Sequence, residues 1–136
     1  LAPFNPLAVA IALHAGFVGR GYVGLEDDLV NLLVQAIDHR GFSLVDILQP
    51  CVSFNRVNTY QWYKERCKPL PSSYDPTDWE AAIRRSQQWG DEIPVGVIYR
   101  NERLPFEDHF PALKKGPLVG QMLDHDRLKK IMETYM

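Results

Sequence analysis

The chain has 136 residues, 46% of them hydrophobic and 24% charged, and a formal net charge of -2. That suffices for one globular domain with a modest core, and the interspersed charges leave no basic face for a nucleic-acid backbone, so no nucleic-acid partner is expected. The longest apolar run, LAVAIALHAGFV, is broken by His14 and Gly16 well short of the roughly 18 to 20 residues that span a bilayer, so no membrane segment is expected either.

In chain order, Asn5 and Pro6 have the chemistry of a helix start, because an Asn side chain caps and proline tolerates the first turn. A helix over about 6–16 is predicted, with Ala8, Ala10, Ala12 and Ala15 alternating with Leu7, Val9, Ile11 and Leu13 and hardly any polar face. After GRGYVG (19–24), LEDDLVNLLVQAIDHRG places Leu25, Leu29, Leu32, Leu33, Ala36 and Ile37 at helical spacing, with acids in the first turn and Gly41 past the end. FSLVDILQP reads as a buried strand stopped by Pro50, and PVGVIYR (94–100) as another short strand. Alternation of helix with apolar strand predicts an α/β fold with a parallel sheet flanked by helices. Between them, residues 51–76 are rich in aromatics and turn formers, with a helical turn or two near 58–66. A helix opening at Asp75-Pro76 and ending at Gly90 follows, and Asp124 caps a last amphipathic helix carrying Leu128, Ile131, Met132 and Tyr135.

GRGYVG matches the G-x-G-x-x-G turn of dinucleotide-binding folds, and Asp46 lies 22 residues past its last glycine. The chemistry argues against that reading. A pyrophosphate needs the bare N–H groups and positive dipole end of a helix, whereas Glu26, Asp27 and Asp28 already occupy that turn and repel a phosphate. Asp46 is followed by Ile47 and Leu48 instead of standing at a strand tip. The glycines are therefore expected to serve a tight strand-to-helix turn and close packing.

His14, His39, His109 and His125 have no metal-ligand spacing. Trp62, Trp79 and Trp89 read as core or interface anchors. Cys67, between Arg66 and Lys68, has neighbours that could acidify its thiol, but no catalytic role is assigned to it. Cys51 stands just past a strand end, where α/β proteins place ligand-binding residues; by itself it reads as filler, nucleophile or ligand. Two cysteines are too few for a disulfide scaffold, and a cytoplasmic location is expected.

Five blocks in order, NPLAVAIALHAGFVGRGYVG, HRGFSLVDILQPCVSFN, NTYQWYKER, DPTDWEAAI and QWGDEIPVGVIYR, together resemble the C-terminal part of the beta subunit of 2-oxoacid:ferredoxin oxidoreductases, from about residue 3 to residue 100. The resemblance implies the C-terminal part of a thiamine diphosphate-binding fold over 1–70, and a C-terminal extension with a helix, a short strand and a terminal helix over 71–136. It implies oxidative decarboxylation of a 2-oxoacid (pyruvate or 2-oxoglutarate type) to an acyl-CoA, with electrons passed to ferredoxin. Implied cofactors of the intact subunit are thiamine diphosphate, Mg²⁺ and a 4Fe–4S cluster, and implied partners are an alpha subunit and, in some complexes, gamma and delta subunits.

On the same resemblance, Cys51 in QPCVSFN is the fourth cluster ligand, while Cys67 has no counterpart. The family's G-D-G…N segment for Mg²⁺ and diphosphate and its C-x-x-C pair are not among these residues, and are expected ahead of Leu1. The chain, starting at Leu1 and not at Met, is accordingly expected to be a fragment that binds no thiamine diphosphate and is inactive alone. Its apolar first helix needs cover, for which homo-oligomerisation is expected. The alternative is a non-catalytic α/β interaction module that docks through its aromatic excursion and terminal helix.

Overall fold

A computed structural model describes residues 4–122 and 124–135. The chain through Arg103 forms one compact unit and the chain from Leu104 onward a second. The first holds α1 (Pro6–Ala12), β1 (Phe17–Tyr22), α2 (Glu26–Asp38), β2 (Ser43–Leu48), α3 (Tyr60–Arg66), β3 (Cys67–Pro69), α4 (Trp79–Gln87) and β4 (Ile93–Arg100). The second has three short 3-10 turns and α5 (His125–Glu133), which is capped by Asp124 as its sequence predicts, with Arg127 N–H donating to the carboxylate at 2.9 Å.

The strands form one sheet in the order β2-β1-β4-β3. β1 pairs in parallel with β2, Phe17 opposite Ser43 through Tyr22 opposite Leu48, and β3 pairs in parallel with β4, Cys67 opposite Ile93. The α/β class read from the sequence holds, but the central pair β1–β4 is antiparallel. Each strand-helix-strand unit, β1-α2-β2 and β3-α4-β4, is parallel within itself, as a helical crossover requires. The excursion between them turns the chain round, and the two units meet in opposite directions. β3 is too short for a sequence pattern to reveal. Between Val18 and Gly19 the register with β4 shifts from Tyr99 to Val97, leaving Ile98 as an extra residue in β4.

Asn5 caps α1, its Oδ1 accepting from Ala8 N–H at 3.0 Å while its Nδ2 donates to Ser86 O at 3.0 Å. The helix ends at Ala12, not near 16. His14 adopts φ +53°, His14 N–H donates to Ile11 O and Ala15 N–H to Ala10 O, the paired bonds of a Schellman stop. Leu7, Ala10 and Ile11 pack with Val18, Ala82 and Ile98 into one core cluster. In α2 the buried stripe runs through Leu32, whereas Val30, Val34 and Ile37 are exposed, Ile37 at 80%. Helical spacing alone places Ile37 inside; one residue past Ala36, it is rotated about 100° away from the sheet. α4 starts after Asp78, later than Asp75-Pro76, because the Asp75 carboxylate engages Thr77 N–H and hydroxyl in a turn of its own and Asp78 caps Ala81 N–H at 2.9 Å.

The GRGYVG glycines fall mostly inside β1, not in a phosphate turn. A Cβ at Gly19 would lie 2.7 Å from Leu32 Cδ1, and one at Gly21 2.5 Å from Leu29 Cδ1. These two positions let α2 close down on the sheet, and only Gly24 belongs to the following turn.

Candidate functional site

β4 runs against β1, so the C-terminal ends of β1 and β2 and the starts of β3 and β4 gather at one end of the sheet. A second core cluster lies there: Tyr22, Leu48, Cys67, Ile93 and Val95, with Val23, Leu25, Trp62 and Tyr63 packed on it. Trp62 and Tyr63 meet edge to face at 4.9 Å, and Trp89 adds its ring at 6.3 Å from Trp62. The aromatic excursion is thus partly a roof over this sheet end; Trp62 packs on the core as expected of an anchor, whereas Trp89 stays 53% exposed.

Arg20 lies under that roof, 3% exposed. Its Nε donates to Asp46 Oδ2 at 3.3 Å, one Nη donates to Ser86 O at 3.1 Å, and the guanidinium faces the Trp89 ring at 5.7 Å. The other Nη is buried without a hydrogen-bond partner among the described residues. Burial lowers the Arg20 pKa and the Asp46 charge opposes that shift. Asp46 is therefore an ion-pair partner in mid-strand, not a ribose ligand. Sequence reading does not single out the two as a pair, because the 26-residue separation closes only through strand register. A cavity of about 200 Å³ beside α2 is lined by Arg20 as well as by Asp28, Asn31 and Gln35; its one lining cation is already paired with Asp46 and shares the cavity with the Asp28 carboxylate, a balance that does not favour a phosphate dianion.

The two cysteines have opposite environments. Cys67 is buried beneath the aromatic cluster, and that burial pushes its thiol up to about 11 despite the charges of Arg20 and Lys68. The sequence neighbours that suggested acidification are outweighed by desolvation. Cys51 is exposed, three residues beyond the end of β2, on a loop whose residues 51–57 are all exposed, including Val52 at 67% and Phe54 at 93%. No cluster of three or more metal-ligating side chains occurs among the described residues. Of the histidines, His14 stacks on Trp79 at 5.9 Å, His39 Nε2 is buried without a partner among the described residues, His109 ends a 3-10 turn and His125 starts α5. Among the described residues, this end of the sheet thus presents one exposed thiol, that of Cys51.

Comparisons with known proteins identify the family to which this fold belongs. Residues 51–115 match the family described as the C terminal of the pyruvate ferredoxin oxidoreductase beta subunit. The fold is similar to the solved 2-oxoglutarate:ferredoxin oxidoreductase from Magnetococcus marinus, a structure with 2-oxoglutarate, coenzyme A and succinyl-CoA bound. The TM-score is 0.82 at 26% identity, covering 97% of this chain and 45% of that one. This defines a class, the subunits of ferredoxin-linked oxidoreductases. The beta subunit of the 2-oxoacid:ferredoxin oxidoreductase 1 of Aeropyrum pernix is 40% identical over 162 aligned positions, covering 97% of this chain and 50% of that protein. The beta subunit from a Sulfolobus species is 36% identical over 141, covering 95% and 45%. The chain belongs to the family of 2-oxoacid:ferredoxin oxidoreductase beta subunits. It spans about half the length of the curated relatives it matches. The similarity also runs past residue 100, where the sequence blocks fade, to residue 115 in the family match.

Proposed function

We propose that this chain is the C-terminal region of a beta subunit whose intact complex decarboxylates a 2-oxoacid oxidatively to its coenzyme A thioester and passes the electrons to ferredoxin. In that complex thiamine diphosphate with Mg²⁺ supplies the electron sink for decarboxylation, and a 4Fe–4S cluster supplies one-electron transfer. The residues of this chain fit the cluster as a source of one thiolate, Cys51, with three ligands coming from elsewhere in the subunit. At the GRGYVG turn they do not fit thiamine diphosphate: the acidic first turn of α2 and the packed glycines of β1 leave no diphosphate cradle there.

The observation that carries the reading is the contrast between the thiols. Cys51 stands free at the end of edge strand β2 amid exposed apolar Val52 and Phe54, a setting into which a cluster can be received. Cys67 is enclosed and held protonated. The relatives named as 2-oxoacid:ferredoxin oxidoreductase beta subunits support the same reaction class.

The test is Cys51→Ala in the full-length subunit. Loss of the visible absorption of the cluster is expected, with Cys67→Ala retaining it; an unchanged Cys51→Ala spectrum removes the assigned ligand. For the chain alone, a calorimetric titration with thiamine diphosphate is expected to show no saturable binding, and a clear isotherm refutes that part.

A further inference from the structure

We propose that Tyr22 is the positioning residue of the Cys51 loop, and that Gly24, the last glycine of GRGYVG, provides the space its phenol occupies. The proposal deepens the reading of Cys51 as a cluster ligand and rests on it.

Among the described residues, the hydrogen bonds within the loop do not hold it to the sheet. Residues 51–57 are all exposed. The hydrogen bonds within it are local: Asn55 N–H donates to Cys51 O at 3.0 Å, and Asn55 Oδ1 accepts from Val57 N–H and Asn58 N–H, each at 3.0 Å. Such turns shape the loop internally but do not tie it to the sheet. Its place relative to the sheet is therefore set at its two ends, as in a compact surface loop with a closed neck.

Tyr22 touches both ends. It is the last residue of β1 and stands opposite Leu48, the last residue of β2, from which the loop departs. The adjoining Val23 N–H donates to Leu48 O at 3.2 Å. At the other end, Tyr22 Oη donates to the carbonyl of Tyr60, the first residue of α3, at 2.8 Å, and the Tyr22 ring stacks on Tyr63 at 5.7 Å. Tyr22 is 3% exposed. A buried, rigid phenol with one directed donor thus bridges the chain before Cys51 to the chain after it.

Gly24 explains how the phenol fits. A Cβ there would lie 2.5 Å from Tyr22 Cε1, 2.6 Å from Cζ and 2.7 Å from Oη. The ring edge lies over the glycine, and Leu25 N–H closes the turn onto Tyr22 O at 3.0 Å. Any side chain at 24 displaces the hydroxyl from Tyr60. The glycine pattern that resembles a nucleotide-binding turn serves here as packing space: its first two glycines admit α2, and its third admits the tyrosine that closes the loop's neck.

The test uses the full-length subunit in its complex, with Tyr22→Phe, which keeps the ring and removes the donor, and Gly24→Ala, which keeps the donor and moves it. Tyr99→Phe is the control, another buried tyrosine whose ring belongs to the other core cluster. Amide exchange over residues 49–60 is expected to quicken about fivefold in both test variants, the factor one lost hydrogen bond sets. Iron loss to a chelator, followed by visible absorbance, is expected to quicken severalfold, with Tyr99→Phe at the wild-type rate in both measurements. Wild-type exchange and iron loss in Tyr22→Phe, or equal acceleration in Tyr99→Phe, overturns the proposal. A Cys51→Ala subunit that keeps its cluster overturns the ligand reading instead, and the exchange comparison still decides whether Tyr22 anchors the loop.

Discussion

Adding one methyl group at Gly19 tests whether the β1 glycines exist for packing. The new Cβ would lie 2.7 Å from Leu32 Cδ1, 3.4 Å from Leu32 Cδ2 and 3.3 Å from the carbonyl oxygen of Gly96. Leu32 is 3% exposed, so its methyls have little free room to rotate into. The Gly96 carbonyl belongs to the neighbouring strand and yields only if β4 moves. Overpacking of this kind costs roughly 1 to 3 kcal/mol. Replacing glycine by alanine in a strand returns about 0.5 to 1 kcal/mol of backbone entropy. With a strand carbonyl as well as a buried side chain in the way, the overpacking cost falls in the upper half of that range, so the expected net loss is about 1 to 2.5 kcal/mol, which for a unit of this size lowers the melting temperature by roughly 5 to 20 °C. Leu32→Ala alone should cost about 2 to 5 kcal/mol, and the double variant should be more stable than additivity implies, because the smaller side chain makes room for the methyl. Thermal and urea denaturation of the wild type, both single variants and the double variant measures the cycle. If Gly19→Ala is as stable as the wild type, or if the two changes add, the close approach of α2 is not the reason for glycine at 19.

The two thiols and the buried ion pair give further outcomes. At pH 8, maleimide should label Cys51 within minutes and leave Cys67 unmodified until the chain unfolds, as read by mass spectrometry. Because the folded Cys67 thiol titrates at about 11 against an ordinary 9.0, the unfolded chain gives up this proton first as pH rises. Its contribution to stability is thus fully present below about pH 9 and is lost between there and about 11, a decline that Cys67→Ala should lack in urea titrations. Asp46→Ala should cost less than the roughly 3 to 5 kcal/mol of a fully buried pair, because the Asp46 side chain is 31% exposed while the Arg20 guanidinium it leaves unpaired is buried. Adding Arg20→Met to that variant should recover part of the loss, and no recovery would mean that the pair contributes nothing through its charge.

The local chemistry of the elements was legible in the residues themselves. Asn5-Pro6 and Asp124 mark helix starts because the Asn5 and Asp124 side chains satisfy N–H groups three residues away, and the apolar spacing of α2 and the strand character of β2 and β4 are likewise local. The five sequence blocks carried the family and, through that resemblance, the reading of Cys51 as a ligand, which its position after a strand alone left open. What lay beyond reach depends on how distant segments meet. The antiparallel join of two parallel units, the three-residue β3, the exposure of Ile37 and the Arg20–Asp46 pair are set only when the sheet assembles. The glycines illustrate the limit: their spacing reads as a turn, but whether a glycine bends the chain or clears space is decided by what packs against it. Cys67 illustrates it again, since adjacent cations argue for an acidic thiol and only burial under Trp62 and Tyr63 reverses the sign. Order along the chain determines which groups are neighbours in the polymer; tertiary structure determines which are near in space and which are kept from water, and the site is built from the latter.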